Sequence, residues 1–169
     1  AALGVDLSQT SAVRDRWLGQ ATEAFVAENV ELIKDIEGHA AAFMSRTITR
    51  AVASGTLWPD LAKEIESEFG YSRNRARLIA RDQVGKFYGQ VTAQRHQDLG
   101  ITSYTWRCVD DERVRGRPDG KYPRAEPSHW DRNGKEYRYD DPPEGGHPGE
   151  AILCRCTQEP VFDGILSGL

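Results

Sequence analysis

Hydrophobic residues in the first hundred positions recur at the three- and four-residue spacing of amphipathic helices. Pro59 suits the first turn of a helix, Ser72 suits an N-cap, and Gly55, Gly70 and Gly100 suit helix ends. The pattern therefore predicts three or four helices in this half, along four stretches: Val13 through Trp17 and Ala21 to Phe25, Ile36 to Ala53, Leu57 to Phe69, and Ser72 to Gly100.

After Gly100 the pattern changes to the two-residue alternation of strands. Tyr104, Trp106 and Cys108 alternate with more polar neighbours, Asn133-Gly134 is a hairpin-turn signal, and Ala151 to Cys156 is a candidate third strand. Seven of the eight prolines also lie in residues 100–169, where they interrupt regular structure. We therefore expect an α+β fold, with a helical region over 1–99 and a small turn-rich lobe of short antiparallel strands over 100–169.

The composition of the 169 residues excludes several classes of protein. Fifteen aromatic residues are too many for a disordered chain, and the apolar runs are too short for a transmembrane helix or a signal peptide. An odd count of three cysteines argues against a disulfide scaffold and for a reducing compartment. Because the chain begins at Ala1 without an initiator Met, we also expect it to be a segment of something longer.

The net charge of −4 gives no general reason to expect nucleic-acid binding, but the last predicted helix is locally basic. Its basic residues form a candidate phosphate-contacting surface: Arg73, Arg75, Arg77, Arg81 and Lys86. A solvated helix face paired with acidic residues elsewhere is the alternative interpretation. Aromatic residues do not interleave with the arginines, which argues against stacking on single-stranded bases.

Four residues of the lobe match the ligand types of a tetrahedral zinc site: His129, His147, Cys154 and Cys156. A structural Zn²⁺ would also suit a lobe with little apolar area to bury. The Cys-x-Cys spacing is less diagnostic than Cys-x2-Cys, however, and buried thiols with hydrogen-bonded histidines are the alternative. Cys108 is a further candidate ligand, but its apolar alternation favours a place in the core.

The string from Asp110 to Arg115 alternates in charge directly after the first predicted strand. Such residues can fix a loop by ion pairs, and carboxylates there can also serve acid–base or metal chemistry. We favour the structural interpretation and expect no enzymatic activity. The alternative is a zinc-dependent hydrolase or nuclease-like domain that uses His129, His147 and Asp111. A third class is a free-standing DNA-binding protein that uses the basic helix.

In their order along the chain, the motifs resemble those of the phage Mu F-like minor head morphogenesis proteins. The resemblance covers about residues 72–162 and rests on these features: the string Ala76 to Gln83, Gly100-Ile101, Tyr104 and Trp106, Asp111 with Arg113 and Arg115, His129, Gly134, His147-Pro148-Gly149 and Cys154-Arg155-Cys156. Between Arg115 and His129 this chain carries a longer segment than the family pattern has.

The resemblance implies a virion protein, assembled in the host cytoplasm and present in few copies in the phage head interior or at the portal vertex. It implies roles in head assembly, DNA packaging or DNA ejection. The expected partners are the portal protein, the major capsid protein or further copies of the chain, with no membrane. Close to packaged DNA, the basic helix gains weight as a surface that contacts phosphates without sequence preference.

Overall fold

A computed structural model describes residues 26, 29–30, 33 and 38–162. The predicted helix through Val13, Trp17, Ala21 and Phe25 lies outside these residues. The chain divides into two compact units, Ala1–Gln83 and Val84–Leu169. The division falls inside the longest helix, whereas the predicted boundary after residue 99 lies at the end of that helix.

Three helices occupy the described part of the N-terminal half: α1 (Gly38–Ala53), α2 (Trp58–Phe69) and α3 (Arg73–Asp98). Their ends match the local sequence signals. Pro59 lies in the first turn of α2, and Gly70 ends α2 in the left-handed conformation, with φ of 63°. Ser72 Oγ accepts a hydrogen bond from the backbone N–H of Arg75 at 3.4 Å, as an N-cap does. No described helix has the length and apolarity that a membrane crossing requires.

The first unit has an apolar core formed by the inward faces of its helices. Met44 and Ile48 of α1 and Leu61 and Ile65 of α2 are completely buried, and Ala76, Ile79 and Ala80 at the start of α3 are also buried. These positions recur three or four residues apart, which is the spacing that placed them on one helix face in the sequence. The helical pattern is thus confirmed over the described residues.

The second unit contains a three-stranded antiparallel sheet made of β1 (Ser103–Arg107), β2 (Glu136–Arg138) and β3 (Thr157–Pro160). The strand order is β2-β1-β3, so β1 is central. Tyr104 and Trp106 on β1 are completely buried and head the core cluster of the lobe. The α+β fold class is therefore confirmed.

The third strand lies later in the chain than the sequence predicts. Residues 151–153 form a turn, and β3 begins only after Cys156. Leu153 has φ of 54°, a left-handed conformation that an extended strand cannot contain. Pro160 ends β3 opposite Tyr104, and it is tolerated there because β3 is an edge strand. The prediction of a strand over Ala151 to Cys156 was wrong.

The second unit includes the C-terminal part of α3, which packs against the loop that precedes β3. A Cβ atom added to Gly89 would lie 3.0 Å from the carbonyl oxygen of Pro148 and 3.3 Å from Cα of Gly149. Gln158 Nε2 donates to the carbonyl oxygens of both Gly89, at 3.3 Å, and Pro148, at 3.0 Å. This close approach fixes the loop that carries His147 against the helix.

Candidate metal centre

Three side chains of the lobe place metal-ligating atoms close together: His129, Cys154 and Cys156. The Nδ1 and two Sγ atoms all lie within 4.8 Å of one another. Nδ1 of His129 is 3.5 Å from Sγ of Cys154 and 3.7 Å from Sγ of Cys156. His129 and Cys156 are buried, and Cys154 is partly buried. Among the described residues, this group could hold a metal ion.

His129 reaches the group although the segment that precedes it is long. The backbone N–H groups of His129 and Trp130 both donate to the carbonyl oxygen of Arg115, at 3.1 and 3.0 Å. Segment 116–128 therefore returns beside its own start, as an Ω-loop does. Its ends are so close that a Cβ atom on Gly116 would lie 1.9 Å from Oγ of Ser128. Despite the length of this segment, His129 consequently lies directly beside Arg115.

The two thiols of Cys154-Arg155-Cys156 reach the same group because alternate residues of an extended segment share a face. A turn delivers this segment: the N–H of Cys154 donates to the carbonyl oxygen of Ala151 at 2.9 Å, after the left-handed Leu153. The N–H of Gly149 also donates to Sγ of Cys154 at 3.4 Å. Such backbone donors stabilise a thiolate ligand and orient it.

Hydrogen bonds within the group separate the acidities of the two thiols. The thiol of Cys156, then the ring of His129 and the N–H of Gly149, lower the pKa of Cys154 to about 4. Hydrogen bonds to Cys108 and Cys154, together with burial, raise the pKa of Cys156. These contacts favour the thiolate form at Cys154 over Cys156, and the thiolate is the form that binds a metal.

Cys108, expected in the core, lies next to this group. Its Sγ is 3.5 Å from Sγ of Cys156 and 3.2 Å from the carbonyl oxygen of His129. A hydrogen bond to Cys156 lowers the pKa of the Cys108 thiol. It also packs against the apolar cluster headed by Tyr104 and Trp106, as the alternation on β1 predicts.

His147 is not brought to the group. Its Nδ1 forms a hydrogen bond of 2.9 Å with the Tyr104 hydroxyl, and its ring packs between Tyr104 and Tyr139, with centroids 5.5 and 5.7 Å away. Pro148 and Gly149, which follow it, are buried. The loop thus holds the imidazole as a partner of the tyrosines.

The charged string after β1 fixes the cysteine-bearing segment. The carboxylate of Asp111 pairs with the guanidinium of Arg155, and its Oδ1 accepts the N–H of Arg113 at 2.7 Å. Arg155 first, and then the N–H of Arg113, lower the pKa of Asp111 to about 2. Arg115 donates to the carbonyl oxygen of Ile152 at 3.2 Å. Asp111 is therefore engaged in an ion pair, and the described residues do not bring the hydrolase set of His129, His147 and Asp111 together.

Trp106 and Gly134 are two further motif residues whose contacts are structural. The ring of Trp106 contacts that of His129 edge-on, with centroids 5.1 Å apart. Gly134 has φ of 81°, and its N–H donates to the carbonyl oxygen of Trp106 at 2.8 Å, which closes the turn before β2. Both residues position the chain around the imidazole.

The basic residues of α3 do not form one continuous exposed face. Arg73, Arg77 and Arg81 are spaced four residues apart and share a side of the helix, where Arg73 and Arg77 are exposed. Arg75 lies over the ring of Tyr71, 4.3 Å from its centroid, and Lys86 is buried. Arg73 also lies 3.7 Å from Glu66, and Arg77 lies over the ring of Trp58, but both side chains stay exposed. Together with Arg81 they are the part of the predicted surface that can meet a phosphate.

Comparison with known proteins gives one family. The family model described as "Phage Mu protein F like protein" matches residues 43–159. A protein of Haemophilus influenzae, named only as uncharacterized, is 36% identical over 141 residues, which are 83% of this chain and 29% of that protein. The chain thus spans less than a third of that relative's length. No solved structure matches.

We predict that Asp111→Asn lowers the urea midpoint of unfolding at about pH 7, because the variant loses the ion pair to Arg155. A carboxylate whose pKa is lowered on folding stabilises the fold above its unfolded pKa of about 4, and this stabilisation is lost as the pH falls toward about 2. The difference in urea midpoint between wild type and variant should therefore shrink as the pH falls from about 4 to about 2. Effects of acid that are common to both proteins cancel in this difference.

Asp140→Asn is the matched control, since Asp140 pairs with Arg138 only two residues away on the exposed side of the lobe. A midpoint for Asp111→Asn equal to that of the control at about pH 7 would contradict the assigned role of Asp111.

Proposed function

The chain belongs to the phage Mu protein F like family, and on that premise we propose that it is a minor head protein of a phage particle. In this role it binds other head components during assembly and acts in packaging or ejection of DNA at the portal vertex. The observation that carries the proposal is the family match, which spans both the helices and the motif-bearing lobe. The lobe's motifs support it, since they are engaged in ion pairs and hydrogen bonds that hold loops together.

The helical half is the proposed surface for the portal protein, the major capsid protein or a second copy. Its helices bury their own apolar faces, yet three large apolar side chains remain exposed on or directly beside them: Phe43 on α1, Leu57 before α2, and Leu78 on α3. Exposed apolar side chains support an association surface when they lie on a rigid scaffold.

The location of the protein in a particle tests this role. We expect the protein in purified virions at a few copies per particle, and we expect cryo-electron microscopy to place its density at the inner side of the portal vertex. The same particles produced without the gene are the control for that density. Particles of normal composition and infectivity without the protein would contradict the proposal.

The proposed cofactor is a structural Zn²⁺ held by His129, Cys154 and Cys156. Thiolate and imidazole are the ligands that zinc prefers, and the backbone N–H on Cys154 is the kind of outer contact that zinc thiolates have. When bound, the ion would supply folding free energy by joining His129 to the cysteine-bearing segment that precedes β3. The zinc-hydrolase alternative receives less support, because Asp111 and His147 are occupied by Arg155 and Tyr104.

Metal analysis and chelation test the zinc proposal. We expect about one zinc per chain in protein purified without added metal, and a large fall in melting temperature with a strong chelator, since structural zinc contributes on the order of 10 kcal/mol. The chelator saturated with zinc beforehand is the control. Metal-free protein with an unchanged melting temperature would contradict the proposal.

Non-specific contact with DNA is a second proposed activity, supported by the arginines that share one side of α3. For duplex DNA, each lost phosphate contact lowers the salt slope of the affinity by about 0.9. We therefore expect the triple variant Arg73→Ala, Arg77→Ala and Arg81→Ala to bind with a slope lower by about 2 to 3.

A variant with the same change in net charge serves as its control: Arg107→Ala, Arg124→Ala and Arg138→Ala, all exposed residues of the lobe. Equal slopes for wild type and the α3 variant would contradict a phosphate-contacting role for α3. Equal losses in both variants would point to net charge alone.

A further inference from the structure

The pairing of β1 with β3 places a third thiol beside the metal group. The ladder sets Trp106 opposite Gln158 and Arg107 opposite Thr157. Continuing this register by one residue sets Cys108 opposite Cys156, just beyond the end of both strands. Directly opposed residues have neighbouring side chains on one face of the sheet, and the two Sγ atoms are 3.5 Å apart.

The backbone of Cys108 is fixed, and its thiol lies beside this group. The N–H of Cys108 donates to Oδ1 of Asn133 at 2.9 Å, and its Sγ lies near Cys156 and the carbonyl oxygen of His129. Trp106 projects from the same face of β1 as Cys108.

We propose that Cys108 is the fourth ligand of a closed zinc site, with His129, Cys154 and Cys156 as the other three. The inference rests on the proposed zinc binding. In a tetrahedral site with Zn–S of about 2.3 Å and Zn–N of about 2.0 Å, neighbouring ligand atoms lie about 3.5–3.8 Å apart. The measured separations are 3.5 Å for Cys108 with Cys156, and 3.5 and 3.7 Å for His129 with Cys154 and Cys156.

Cys108 must turn toward the group to complete this site. Its Sγ stands outside the set of atoms that lie within 4.8 Å of one another, although it touches a member of that set. A rotation about the Cα–Cβ bond would move the sulfur while the hydrogen bond to Asn133 holds the backbone.

His147, the ligand that the sequence suggested, would require a larger rearrangement. Its ring would have to leave both tyrosines and break the hydrogen bond to Tyr104, which is completely buried. The loop that carries it is fixed by the close approach of Gly149 to Gly89. Cys108 therefore takes the fourth position and His147 remains in the tyrosine cluster.

Four protein ligands would close the site. A closed site leaves no position for a reacting water and acts structurally, whereas a catalytic zinc keeps one position open. The ligands would come from the end of β1, the residue before the short helix Trp130–Arg132, and the segment before β3. One ion would thus join these three segments at this end of the sheet.

X-ray absorption at the zinc edge of the zinc-loaded wild-type chain tests the assignment without any variant. We expect three sulfur ligands at about 2.3 Å and one nitrogen at about 2.0 Å. Two sulfur and two nitrogen or oxygen ligands would overturn the inference while leaving zinc binding intact. A chain that binds no zinc would overturn the zinc proposal as well, so the two failures are distinguishable.

Cobalt substitution gives the matched comparison of variants. With Co²⁺ in place of zinc, the sulfur-to-metal charge-transfer absorption should fall by about a third in Cys108→Ser, because two thiolates replace three. His147→Asn should keep the full absorption. The reverse pattern, or a Cys108–Cys156 disulfide in non-reducing peptide mapping of the purified protein, would overturn the inference. If Cys108→Ser does not fold, the wild-type absorption edge still decides.

Discussion

The antiparallel pairing of β1 with β3 is the interaction on which the lobe depends. It joins residues about fifty positions apart, and it brings the two ends of the turn-rich half together. Trp106 and Tyr104 bury the inner face of the central strand, and Gln158 on β3 links that face to the carbonyl oxygens of Gly89 and Pro148. Because the strands are short, each adjoining loop needs its own polar contact, and the charged motifs supply these contacts.

Local signals in the sequence were sufficient for the helices but insufficient for the site. Pro59, Gly70 and Ser72 act through their own backbone geometry, so a single sequence shows where helices begin and end. The pairing register of β1 with β3 is a contact between distant segments, and its consequence for Cys108 was therefore not visible. The left-handed Leu153 likewise gave no signal, since leucine rarely adopts that conformation, and the third strand was placed too early.

His129 and His147 show that residue type alone does not separate a metal ligand from a hydrogen-bonded histidine. Both are polar residues in a Pro- and Gly-rich lobe, and both had the spacing of a possible ligand. Their neighbours separate them: His129 faces two sulfur atoms, whereas His147 faces the hydroxyl of a buried tyrosine. Buried surroundings stabilise a metal-bound imidazole and a hydrogen-bonded imidazole alike. Only the atoms that the ring nitrogen faces distinguish the two roles.

The charged residues of the lobe are used in ion pairs that hold its loops. Asp111 faces Arg155, Arg117 lies between Asp110 and Asp119, and each pair connects two loops or closes one. A hydrolytic site needs a carboxylate or a metal position left free for water, because reaction requires an acceptor for its proton. Here Asp111, Asp110 and Asp119 are all paired with arginines that hold the chain. Such an arrangement opposes movement of the loops that carry the cysteines, because each ion pair would have to break first.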